Sequence, residues 1–136
     1  MRKYRHGAHS VFNLKVHLVL VVAYRRKVID GELLTVLDTL FRQICEEEGV
    51  ALLEFSGEAD HVHLLLDMNP NVKPADLVGR LKSLTSRHIR KHYWNKIRHM
   101  LWGSKFWSAS YCMISVGDGA TIEIVERYIR GQIKPS

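Results

Sequence analysis

His61 and His63 stand one residue apart in "ADHVHLLLDM" (Ala59–Met68), at the head of an apolar run. Side chains alternate across a strand, so His61, His63 and Leu65 share one face and Val62, Leu64 and Leu66 the other. The strand rise puts the two imidazoles roughly 7 Å apart along the chain. Two neutral rings so placed can hold one divalent ion. The pattern equally suits two half-exposed histidines satisfied by water. A metal would need further ligands, and Glu54, Glu58 and Asp60 are candidate helpers if the second strand and the turn orient them toward the pair. A second pair, Tyr128 and Gln132, lies one helical turn apart in "TIEIVERYIRGQIKPS", beside a stripe of Ile122, Val125, Ile129 and Ile133. It is either a tyrosine at the edge of a core with a surface amide, or a phenol nucleophile with a neutral oxygen ligand. With a pKa of about 10 a phenol is mostly neutral, and a metal that polarises the target eases its attack.

These residues must be carried by regular elements. "NLKVHLVLVVAY" (Asn13–Tyr24) reads as a buried strand. Leu33, Leu34, Leu37, Leu40, Phe41 and Ile44 recur at helical spacing from Asp30 to Glu48, and Gly49 stops that helix. Val50–Ala59 and "HVHLLLDM" read as two strands joined by a tight turn near Ala59–Asp60. A second helix runs from Pro74 to about Tyr93, with Leu77, Leu81 and Leu84 on one face. "WSASYCMISV" (Trp107–Val116) is a fourth strand. Gly117-Asp118-Gly119 is a hinge, and Thr121 to Ile133 form a last helix whose stripe could pack on its own domain or on a second copy. The order predicts an α+β fold: a ferredoxin-like, RRM-like split β-α-β antiparallel sheet with helices on one face, plus a C-terminal helix carrying the tyrosine. Such a sheet leaves one face free, but the architecture alone assigns no function.

A chain of 136 residues suits one domain, here 1–136. No apolar run reaches the ~18 residues of a membrane helix, and no signal-peptide core follows the basic start. Cys45 and Cys112 are isolated, as packed thiols of a reducing cytoplasm would be. The net charge of +6 is unevenly spread. Residues 1–29 hold seven Lys/Arg and no acid, residues 30–67 ten acids and one Arg, and residues 73–105 nine Lys/Arg and one Asp. The pattern suggests one basic and one acidic face, the basic one for nucleic acid.

Taken together, "DHVHLLL", "LKSLTSR", "LWGSKFWSASYCMISV" and "YIRGQ", with the opening "HSVFNLKVHLVLVVAYRRKVI", resemble the single-tyrosine HUH transposases, small insertion-sequence enzymes of the "transposase A" type. The likeness spans residues 9–133 in the family's order. It implies that His61 and His63, with Gln132, hold Mg²⁺ or Mn²⁺. It implies that Tyr128 attacks single-stranded DNA at hairpin-marked element ends and becomes linked to the 5′ phosphate, releasing a 3′ hydroxyl. It implies a homodimer, with active sites that can be completed in trans, in a bacterial or archaeal cytoplasm at the nucleoid and away from membranes. Two positions depart from the family pattern: Ala59, where proline is common, and Ala23, where lysine is common. For DNA contact the sequence offers Arg25, Arg26, Lys82, Arg87 and Arg90, and Lys105 with Trp107 as a stacking surface. The alternatives are a domesticated, repeat-associated HUH endonuclease, which the short chain after Gln132 disfavours, and a non-catalytic single-stranded nucleic-acid-binding module, which leaves the His/Tyr/Gln set unexplained.

Overall fold

The computed structural model describes residues 5–6, 11–12, 14–101, 103, 105–116 and 121–132. Two short strands, β1 (Arg5–His6) and β2 (Val11–Phe12), pair with each other. The main sheet comprises β3 (Lys15–Val21), β4 (Ala51–Gly57), β5 (His61–Asp67) and β6 (Cys112–Ser115), in the order β4-β5-β3-β6 and antiparallel throughout. Helices α1 (Gly31–Glu47) and α2 (Pro74–Leu101) connect it, and α3 (Thr121–Gly131) follows. The expected split β-α-β arrangement is therefore present.

The sheet separates two apolar layers. Leu18 and Leu20 of β3, with Val62, Leu64 and Leu66 of β5, are fully buried against Leu33, Leu37 and Phe41 of α1 and Leu77, Leu81 and Ile89 of α2. On the other face Val19, Val21 and Cys112 form a smaller cluster with Val125, and Tyr128 and Ile129 pack on its rim. The α3 stripe thus docks on the sheet of its own chain. Ile133, the side chain of Ile122 and the Gly117–Gly119 hinge lie outside the described residues.

Several boundaries differ from expectation. β3 stops at Val21 and not Tyr24, because Ala23–Arg25 turn as a single 3-10 loop with Tyr24 (φ 59°) and Arg25 (φ 53°) left-handed. α2 continues past Tyr93, which carries a kink (φ −130°, ψ 19°), because Ile97 and Leu101 still reach the core. β6 begins at Cys112 and not Trp107. Trp107 makes one isolated bridge to Val22, and the Ser108–Ser110 loop then departs, its carbonyls at 108 and 110 each accepting from Lys82 Nζ at 2.7 Å. The basic and acidic blocks also meet directly. Arg80 of α2 pairs with Glu47 and Glu48, and Lys96 with Asp30 and Glu32, so α2 neutralises much of α1.

Candidate active site

The β4–β5 turn sets the site. Glu58 N–H donates to His61 O at 2.8 Å, and the carbonyls of Ala59 and Asp60 accept from Ile29 and Val22, each at 2.9 Å. The turn is thus tied to the segment after β3. Asp60 is buried; its Oδ1 lies 2.7 Å from His61 Nδ1, and its Oδ2 accepts from Arg25 Nε at 3.0 Å. Burial alone would raise this carboxyl, but the bonds from His61 and Arg25 outweigh it and hold it below the ordinary carboxylate range. The left-handed backbone at Arg25, sparsely populated by such residues, brings its side chain to that carboxylate.

His61 and His63 project from one face of β5, with ring centroids 4.8 Å apart. His63 Nδ1 lies 3.0 Å from Nε2 of His17, a third imidazole on the adjacent strand. Burial, then the neighbouring His61 and His17, push the His63 pKa down to about 4; burial also lowers that of His17. His63 is therefore neutral near pH 7, as a ligand must be. Each ring of the pair has Nδ1 occupied by a partner, which leaves Nε2 for a ligand. A carboxylate or another polar group on the far nitrogen is how metal-binding histidines are oriented. The donor set thus fits a divalent ion. Among the described residues no group of three or more His, Cys, Asp or Glu is placed to hold a metal ion.

The other half lies on α3. Tyr128 is half-buried; its hydroxyl is 2.8 Å from Ser110 Oγ, which also donates to Gln132 Oε1 at 3.4 Å. Burial raises the Tyr128 pKa, and the Ser110 and Ser108 hydroxyls only partly oppose this. Tyr128 and Gln132 are thus brought together, as their spacing requires, but they meet at Ser110. The cavity over His17, His61 and His63, of about 410 Å³, is lined on the α3 side by Val125, Glu126, Ile129 and Arg130. Gln132 lines a separate cavity of about 500 Å³ beside Tyr24, Lys105 and Trp107.

Most of the chain has the layout of a known family. The family described as "Transposase IS200 like" matches residues 10–132. The chain belongs to the IS200-like transposases. These are the single-tyrosine HUH transposases that its motifs resemble. It is 32% identical over 126 residues to the ISDra2 transposase TnpA of Deinococcus radiodurans, covering 93% of this chain and 89% of that protein. It is 28% identical over 127 residues to the transposase for insertion sequence element IS200 of Salmonella typhimurium, covering 93% and 82%. A 1.90 Å crystal structure of a candidate transposase from Deinococcus radiodurans superposes with a TM-score of 0.88 at 28% identity, over 96% of this chain and 99% of that one. A REP-associated tyrosine transposase bound to a REP hairpin shares the fold alone, with a TM-score of 0.54 at 10% identity, over 95% of this chain and 70% of that one.

The DNA-contact expectations need correction. Trp107 is no stacking surface: it is buried, and its indole N–H donates to the buried Thr85 hydroxyl at 3.0 Å. Phe106 is fully buried beside it. Lys82 is a loop brace. Burial, then the charge of Lys105, lowers its pKa, and both its described bonds go to loop carbonyls. Arg25 is held by Asp60, and Arg26 donates to Leu101 O at 3.2 Å while stacking on Tyr24. Arg87 and Lys105 are exposed, and Arg90 lies over the exposed Trp94 ring at 5.6 Å. The sequence reading missed His17 and Ser110 as site residues. His17 left a trace, a lone imidazole in "KVHLVLVV"; Ser110 left none.

Proposed function

We propose that this transposase cleaves and rejoins single-stranded DNA at hairpin-marked element ends, with Tyr128 as nucleophile and His61, His63 and Gln132 as ligands of Mg²⁺ or Mn²⁺. The observation that carries the reading is the histidine pair, two neutral-capable rings on one sheet face with both Nδ1 atoms engaged and both Nε2 atoms left for a metal. When bound, the ion supplies charge stabilisation at the attacked phosphate. The Tyr128 oxygen bonds to phosphorus as the bond to the 3′ oxygen breaks. The phenol loses its proton and the leaving oxygen gains one. A 3′ hydroxyl later reverses the exchange, so the bond energy is kept without a nucleotide cofactor.

In this reading residues 1–136 form one HUH domain that works as a homodimer at the nucleoid of a bacterial or archaeal cytoplasm. No described helix is long and apolar enough to cross a membrane. Tyr128 and Gln132 rest on Ser110 while other α3 residues face the histidines. This favours completion of each histidine site by the tyrosine helix of the second copy. Exposed Arg87, Lys105 and the Arg90–Trp94 stack are the DNA-facing candidates. The test separates binding from chemistry: His61→Ala should cut cleavage about 100-fold or more while hairpin binding in a gel-shift assay stays near wild type. Parallel loss of both would make His61 structural and overturn the assignment.

A further inference from the structure

His17 has no part in the histidine-pair motif, yet it is built into the same face. β3 is the central strand at that level, with His17 paired to Leu65 of β5 on one side and to Ile114 of β6 on the other. Its backbone is therefore fixed from both edges. Val19 pairs with His63, so His17 is the diagonal neighbour of His63, within reach of a long side chain on the same face. The contact is made: 3.0 Å separates His17 Nε2 from His63 Nδ1, with ring centroids at 5.1 Å and planes at 41°. A neutral imidazole carries one N–H and one lone pair. If His63 is to present the Nε2 lone pair to a metal, its proton must sit on Nδ1, where only an acceptor can hold it. His17 Nε2 is that acceptor, and its own proton then sits on Nδ1. On the neighbouring ring the Asp60 carboxylate faces His61 Nδ1 in the same way at 2.7 Å.

We propose that His17 is a positioning residue that holds His63 in the tautomer and orientation of a metal ligand, as Asp60 does for His61. The inference rests on His61 and His63 being metal ligands, and its test tells the two apart. Mn²⁺ is titrated calorimetrically into the full-length chain and its variants. His17→Phe keeps the ring volume and removes the acceptor, so it should weaken Mn²⁺ binding about 10–100-fold. His17→Gln restores a carbonyl acceptor and should recover most of that loss, which a mere packing role would not produce. Independently, long-range ¹H–¹⁵N spectra of the metal-free wild type should show His63 as the Nδ1–H tautomer. An Nε2–H tautomer, or Mn²⁺ binding by His17→Phe equal to wild type, overturns the inference. Failure of the wild type itself to bind Mn²⁺ would instead overturn the metal reading of the pair, while the tautomer spectrum would still judge the His17–His63 bond.

Discussion

The two histidines were legible from sequence because a strand's alternation is enough to put them on one face. Asp60, next to His61 in the chain, was legible as a nearby carboxylate but not as the group that engages the His61 ring. His17 was not legible as a partner, because it reaches His63 through the β3–β5 register, which no local pattern encodes. Lys82 and Trp107 were misread for the opposite reason: cation and aromatic content near a basic helix looks like a DNA surface, yet their contacts run inward to the Ser108–Ser110 loop and to Thr85. The distinction is measurable. A cation that touches phosphate releases counterions when it binds, and its removal lowers the salt slope of affinity by about one. Arg87→Ala should therefore flatten the plot of log affinity against log salt for the hairpin. Lys82→Met should leave that slope unchanged and lower the denaturation midpoint. A reduced slope for Lys82→Met would return that residue to the DNA face.

At the scale of elements, the order and kind of every main-sheet strand and helix followed from hydrophobic period and turn residues. The ends did not, because tertiary contacts set them: Ile97 and Leu101 extend α2 past the Tyr93 kink, and the Lys82 brace delays β6. One glycine shows how tightly the layers meet. A Cβ on Gly57 would lie 2.8 Å from Leu34 Cδ1, 2.9 Å from Val62 Cγ1 and 3.1 Å from the carbonyl oxygen of His61. The missing side chain lets Leu34 of α1 sit close on the end of β4, next to the histidine turn. Gly57→Ala should destabilise the fold by about 1–3 kcal/mol in urea denaturation, as overpacking does. An unchanged midpoint would mean that α1 and the turn yield freely.

Across the whole molecule, the sequence brought four catalytic candidates together as one set, and the structure holds them as two halves: histidines on the sheet, phenol and amide on Ser110. Periodicity placed each half correctly, but it carries no information on which copy of α3 serves which sheet. Mixing two inactive variants, His61→Ala and Tyr128→Phe, resolves this. If the tyrosine helix acts in trans, a mixed dimer holds one intact site and cleavage returns; if it acts in cis, the mixture stays dead. The proposal is that Tyr128 joins DNA at the histidine site. It is tested most directly by incubating the chain with hairpin-bearing single-stranded DNA from its own locus and Mn²⁺, then mapping the covalent protein–DNA adduct by peptide mass spectrometry. The expected result is an adduct on Tyr128 that needs the metal and vanishes in Tyr128→Phe. An adduct that persists in that variant, or maps to another residue, would contradict it.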